Sequence, residues 1–239
     1  MGEVYKKTVK VSLQDCDMQD RMSASSILKN SQQASIEHCK NLNASKDYYR
    51  NNGLVFLLAQ VSLEFYKNPR SDDVLSVVSE PFRPLRAIHY RYTEFLDAKD
   101  NFCFASVDSR WVLVDIKRKR IVRQPPTDLM FKNASECVKK HPHKLQRSSD
   151  VILIGRETAT YSRCDVNHHL NNAEYANIIF DYLPTEVLKE KFPRRMLICY
   201  RKEIPLGREF ELFLSESENN YYFLGANHEE KYFEVNVVF

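Results

Sequence analysis

Residues 164–172 read Cys-Asp-Val-Asn-His-His-Leu-Asn-Asn and bring together a thiol, a carboxylate, two imidazoles and three carboxamides. An imidazole is the side chain best suited to moving protons near neutral pH, and a neighbouring carboxylate or carboxamide can orient it or a water. The same stretch has a plainer reading. Asp165 and Asn167 are residue types that turn a chain from strand into helix by bonding their own backbone, and His169 can equally be a partly buried structural histidine. A metal site made of His168, His169 and Asp165 is disfavoured, because adjacent histidines project apart. The six cysteines include no Cys-x-x-Cys pair, so they read as reduced thiols and no zinc is expected.

The elements that must hold this stretch show themselves through a repeat. The run from Cys16 to Ser25 lies over Cys164 to Ala173 without a gap. Each copy follows a strand-like run (residues 8–13 and 151–161) and precedes a run of helical character. After the first copy, Ile27, Ser31, Ala34 and His38 recur at helical spacing, with Ser23 or Ser25 as the cap. After the second, Asn171 or Asn172 suits the cap position, an apolar helix follows to Phe180, and Pro184 ends it. A short helix is expected over residues 185–192. Each helix then gives way to strands: 54–66, 74–80, 88–96 and 102–115 in the first half, and 196–204, 210–215, 221–226 and 232–239 in the second. In the last, Phe233, Val235, Val237 and Phe239 alternate with Glu234 and Asn236, the period of a half-buried strand. Residues 124–150 carry Pro125, Pro126, His141, Pro142 and His143 with little periodicity and read as a linker. The expected organisation is therefore an N-terminal unit over 1–123, that linker, and a C-terminal unit over 151–239. Arg21 stands where His169 does, and Gln19 where Asn167 does, so the first copy lacks the titrating group. One active site is expected, in the second half.

Composition excludes several classes. Five glycines and no glycine-rich fingerprint argue against a nucleotide-binding loop, and a net charge of +3 is too small for a nucleic-acid footprint. No window approaches the apolar length needed to cross a bilayer. The N-terminus enters strand-like alternation almost at once, so the expectation is a cytoplasmic chain without a leader. No cofactor is expected.

The chain resembles the acyl-acyl carrier protein thioesterases, the family of the plant plastid enzymes and their bacterial relatives. Their hallmark Asp-x-Asn-x-His-x-Asn-Asn is matched by Asp165, Asn167, His169, Asn171 and Asn172. A later Tyr-Arg-Arg/Lys-Glu element is matched by Tyr200, Arg201, Lys202 and Glu203. The resemblance covers essentially the whole chain and implies an α+β double hotdog: two fused units, each a long helix wrapped by an antiparallel sheet. One departure matters. The plant enzymes commonly carry a cysteine directly after the glutamate, where this chain has Ile204, so a cysteine nucleophile finds no support there.

The resemblance implies hydrolysis of fatty acyl-acyl carrier protein to free fatty acid. His169 and Glu203 are then the pair that activates water, in an order the resemblance does not settle. Asn167 binds water or the thioester oxygen, and Asp165 holds the loop or takes part directly. Asn172 stands where the second helix begins, and the unpaired N–H groups of a helix start suit a polarised carbonyl. Ile27, Leu28 and Phe56 are candidates to line an acyl tunnel, with ordinary core packing the competing role. Acyl carrier protein is acidic, and the basic groups at Lys117 to Arg120 with Arg123, at Arg194 and Arg195, and at Arg201 and Lys202 are either docking sites or solvated turns. Two other functions remain open: hydrolysis of coenzyme A thioesters, which present the same phosphopantetheine arm, and non-catalytic acyl-thioester sensing. Fusion of two units already supplies the usual hotdog pairing, and a further homodimer is left open.

Overall fold

The computed structural model describes residues 4–123, 134–136 and 140–239. Pro125, Pro126 and Cys137 lie outside the described residues. The chain runs β1 (Tyr5–Lys10), α1 (Ala24–Asn41), α2 (Lys46–Asn51), β2 (Leu54–Phe65), β3 (Val74–Leu85), β4 (Ile88–Asp97), β5 (Cys103–Asp115) and a short β6 (Arg120–Ile121). The second half has β7 (Ile152–Thr158), α3 (Glu174–Asp181), α4 (Thr185–Glu190), β8 (Arg195–Tyr200), β9 (Glu209–Ser217), β10 (Asn220–Ala226) and β11 (Lys231–Val238). Among these helices none is long and apolar enough to cross a membrane.

The strands form one antiparallel sheet in the order β1-β3-β4-β5-β2-β8-β11-β10-β9-β7, with β6 added beside β5. The order mirrors about the β2/β8 seam, strand for strand, so the two halves are two copies of one five-stranded plan. The seam itself is a ladder from Gln60 opposite Cys199 to Glu64 opposite Arg195. One contiguous core serves both halves, joining Ile27, Leu63 and Phe95 to Ile179, Phe223 and Phe233.

Helix α1 packs on the sheet because its inward face is small. Ser23 caps it by accepting the Ser26 N–H, and Ile27, Ser31, Ala34 and His38, the residues expected to share a face, are all buried. Burial and the nearby Arg91 charge push the His38 imidazole down to about 4, so it sits neutral in the core. Helix α3 is shorter, 8 residues against 18 for α1, because Pro184 cannot continue it and the chain restarts as α4.

One element is added and one expectation changes. Helix α2 lies in residues to which the sequence pattern assigns no element. Strand β11 is buried on both faces, not one: Glu234 and Asn236 are 2% and 4% exposed. The cause is the chain after residue 140, which runs as a strap over the outer face of the sheet. His141 donates its backbone N–H to Asp108 at 3.1 Å. Its ring lies 2.9 Å from the Ser62 carbonyl on one side and 2.9 Å from the Ser106 hydroxyl on the other. Further along, the Gln146 N–H donates to Asn236 at 2.7 Å, and Asn236 donates back to the Gln146 carbonyl at 3.0 Å. Ser106, Asp108 and Asn236 on that face of the sheet are thereby partnered, as buried polar groups generally are.

Candidate functional site

Both motif loops are built the same way. In the second, a single 3-10 turn (Tyr161–Arg163) follows β7, and Cys164 bridges Leu170 across the loop. The Asp165 N–H donates to the His169 carbonyl at 2.9 Å and the His168 N–H to the Asp165 carbonyl at 2.9 Å. In the first, Cys16 bridges Met22, the Asp17 N–H donates to the Arg21 carbonyl at 2.8 Å, and the Asp20 N–H to the Asp17 carbonyl at 3.0 Å. Asp20 and His168, at equivalent positions, both take a left-handed backbone, φ 56° and 63°. Asp165 accepts the Asn167 N–H at 2.8 Å, and Asp17 accepts the Gln19 N–H at 2.9 Å. The aspartate thus holds the turn in both copies, and that part of its role is structural.

The copies part company at one residue. Arg21 closes on Asp17 at 2.9 Å and continues outward, donating to the carbonyls of Leu188 at 2.7 Å and Lys191 at 3.2 Å, with its guanidinium 4.8 Å from the centre of the Phe192 ring. It therefore caps the open C-terminal end of α4 and ties the two halves together. Replacing Arg21 by methionine keeps the stem but removes the donors. The expected loss is about 1–3 kcal/mol in urea unfolding, with little change in kcat; a loss under about 0.5 kcal/mol would mean water substitutes for the cap.

In the second copy the same position is His169. Its Nδ1 faces Glu203 Oε2 at 3.6 Å, beyond hydrogen-bond length, and this buried nitrogen has no other hydrogen-bond partner. Glu203 is 57% exposed and the histidine side chain 31%, so a small swing of the carboxylate closes the pair. Long contacts of this kind are common before substrate binds. The strand that delivers Glu203 explains its neighbours. The Tyr200 hydroxyl donates to the Asn172 carbonyl at 2.8 Å, Arg201 pairs with Glu234, and Lys202 pairs with Glu230. The Leu170 N–H then donates to the Ile204 carbonyl at 2.8 Å, pinning the histidine loop beside the glutamate.

Asn167 sits across from these, and its carboxamide is already engaged. Nδ2 donates to Asp165 Oδ2 at 3.0 Å, while Oδ1 accepts from Lys46 Nζ at 3.0 Å and Arg50 Nη2 at 2.7 Å. Both cations come from α2 in the first half. Nothing in the sequence ties them to the loop; the one available signal was the repeat, which places α2 where the second half has α4.

At the helix end, α3 starts at Glu174 with Ala173 in the cap position and no side-chain cap, so the expected cap at Asn171 or Asn172 is not made. Asn171 instead holds the turn before the helix, its carboxamide accepting the Ala173 N–H at 2.9 Å and its carbonyl the Glu174 N–H at 2.9 Å. Two of the N–H groups expected to face a substrate are thereby occupied. Asn172 itself is half-buried. Of the expected tunnel residues, Leu28 borders a crevice of about 10 Å³ between α1 and the sheet, with Ser31, Val61, Val107 and Trp111. Ile27 is fully buried in the main core. Phe56 packs edge-on against Tyr49 of α2 and His89, each at 4.9 Å between ring centres. Burial and the Asp165 charge raise the Cys164 thiol, which disfavours the thiolate a nucleophile needs. Ile204, where the plant enzymes carry cysteine, is fully buried. The basic run at Lys117 to Arg120 forms the exposed β5–β6 turn, whose Lys117 and Arg118 N–H groups bond Asp115.

Comparison with known families decides the affiliation. The acyl-ACP thioesterase N-terminal domain matches residues 2–129, and the acyl-ACP thioesterase C-terminal domain matches residues 154–235. The chain belongs to the acyl-ACP thioesterase family. Its relatives include a chloroplastic acyl-[acyl-carrier-protein] hydrolase of Cuphea viscosissima, 22% identical over 225 residues that cover 87% of this chain and 53% of the relative. A chloroplastic oleoyl-acyl carrier protein thioesterase of Arabidopsis thaliana is 20% identical, with 84% of this chain and 60% of the relative covered. The chain thus spans little more than half the length of the curated relatives it matches. Among solved structures, an acyl-ACP thioesterase from Bacteroides thetaiotaomicron superposes with a TM-score of 0.89 at 19% identity, covering 98% of this chain and 97% of that one. The 12:0-ACP thioesterase from Umbellularia californica gives 0.83 at 16%, covering 98% and 96%. These likenesses establish the double hotdog fold for this family member.

Proposed function

We propose that this acyl-ACP thioesterase family member hydrolyses fatty acyl-acyl carrier protein to free fatty acid and carrier protein, by attack of water on the thioester. The observation that carries the reading is the placement of Glu203 on the Nδ1 side of His169. A carboxylate on that side favours the tautomer with hydrogen on Nδ1, so Nε2 is the nitrogen left to accept a proton. Water adds to the carbonyl carbon while Nε2 takes its proton, and Glu203 stabilises the imidazolium that results. The oxyanion on the former carbonyl oxygen needs N–H donors, a role for Asn167 and the backbone at Asn172. Collapse breaks the carbon–sulfur bond, and the departing thiolate recovers the proton from Nε2. The acyl chain is assigned to the crevice beside Leu28, which admits it only as α1 and the sheet part, since about 10 Å³ is the space of roughly one water.

The test is release of free thiol from acyl-carrier protein and acyl-coenzyme A donors across a range of chain lengths. A kcat/KM clearly higher for the carrier protein is expected, with a preferred length that shortens when Ser31→Leu fills the crevice. Preference for the coenzyme A donor would overturn the carrier-protein assignment, and saturable binding without thiol release would overturn hydrolysis.

A further inference from the structure

The two motif loops partner their half-buried aspartates differently. The first neutralises Asp17 with its own Arg21, at 2.9 Å. The second has a histidine at that position, and its aspartate instead receives the carboxamide of Asn167, behind which stand two cations from the other half. The exchange is reciprocal: the first loop reaches α4 of the second half through Arg21, and the second loop is reached by α2 of the first half.

We propose that Arg50 and Lys46 are positioning residues of the hydrolysis site, locking the Asn167 carboxamide so that its free N–H faces the thioester oxygen. The inference rests on the hydrolase reading above. A carboxamide between ligands can flip, but two cationic donors on one atom and a carboxylate on the other permit a single orientation. With Oδ1 taken twice and one Nδ2 hydrogen given to Asp165, the polar group that remains is the second Nδ2 hydrogen. Asn167 is then a donor to the oxyanion and not an acceptor for the attacking water. Charge-assisted bonds at Oδ1 also polarise the amide and strengthen that donor. Neither cation forms an ion pair with a carboxylate among the described residues, and both are exposed. Docking of the phosphate of the phosphopantetheine arm is a poorer account, because the phosphate lies at the far end of that arm from the sulfur, whereas these cations touch the motif loop itself.

The experiment compares Arg50→Met, Lys46→Met and the double variant with wild type on two substrates: acyl-carrier protein, and an acyl-pantetheine thioester that has neither phosphate nor protein. Positioning predicts a fall in kcat of about 10- to 100-fold for the double variant on both substrates, with KM little changed. Arg50→Lys should recover part of the loss, and in an Asn167→Ser background Arg50→Met should cost little more. The side-chain amide signals of Asn167 in a ¹H–¹⁵N spectrum should also move in the double variant. A rise in KM confined to the carrier protein, with the pantetheine substrate unaffected, would overturn the proposal in favour of docking. Unchanged kcat on both substrates would overturn it outright while leaving hydrolysis intact. A wild-type protein that releases no thiol from either substrate would overturn the hydrolase reading and this one with it.

Discussion

Replacing His169 by alanine should lower kcat on acyl-carrier protein by roughly 10²- to 10⁴-fold, the range ascribed to a positioned acid–base group, while the protein unfolds at nearly the same temperature. The split between the two effects follows from how the ring is held. Its Nδ1 makes no hydrogen bond, and its facing partner, Glu203, is more than half exposed, so removing the imidazole strands no buried group. The bonds that shape the loop are main-chain bonds, from the Asp165 N–H to the His169 carbonyl and from the Leu170 N–H to the Ile204 carbonyl, and alanine keeps both. Steady-state thiol release and a thermal melt on the same preparation check the two halves of the prediction. Turnover within a few-fold of wild type would move the base to another group, with Glu203 the first to try.

The second large effect concerns stability. Glu234 lies on the outer face of β11, where Arg147 of the strap bonds it at 2.6 Å, Arg201 at 2.6 Å and the Tyr222 hydroxyl at 3.0 Å. Burial alone would raise its pKa, but the bonds from Arg147, Arg201 and Tyr222 outweigh burial and hold the carboxyl at about 2. A carboxyl lowered in the folded state contributes stability that is full above its ordinary value of 4.5 and is lost as pH falls towards about 2. Allowing for the exposure of both arginine side chains, Glu234→Gln should cost about 2–3 kcal/mol at neutral pH. The gap between wild type and variant should close as pH drops through that window. Urea unfolding at several pH values measures it, and a gap that stays constant with pH would assign the loss to packing and not to the ion pairs.

Both predictions depend on features of unequal visibility in the sequence. The strands were legible because alternating apolar residues commit a segment to one face, and the motif loops because two copies repeat a carboxylate, an amide and an apolar residue in one register. Asp165 also carried a correct plain reading, since its bond to the Asn167 N–H recurs between Asp17 and the Gln19 N–H, whereas the Asn167 side chain bonds other side chains. What escaped was everything set by distant pairing. The stretch around Lys46 is polar and short; Ser45 caps it locally, but it is the packing of Tyr49 against Phe56 that seats it where Arg50 reaches a loop more than a hundred residues away. Glu234 and Asn236 looked solvent-facing because alternation reports hydrophobicity, not whether another segment covers the polar side. His141 and His143 looked like linker residues because nothing local says that Ser106 and Asp108 wait beneath them. The second helix starts two residues later than Asn172 because the Asn171 side chain bonds the Ala173 N–H and holds the intervening residues in a turn.

The mirrored sheet joined at β2 and β8 bears on how such a protein can change. In an assembly of two identical subunits every substitution is made twice, once in each copy, and a residue that serves the active loop must be tolerated at its symmetry mate. Here the two loops are encoded separately. The first carries a guanidinium and serves as a structural clasp while its twin keeps an imidazole, and α2 sends Lys46 and Arg50 to the opposite loop while α4 receives Arg21 on its carbonyls. Covalent fusion therefore allows one loop to be altered without imposing the same change on its counterpart.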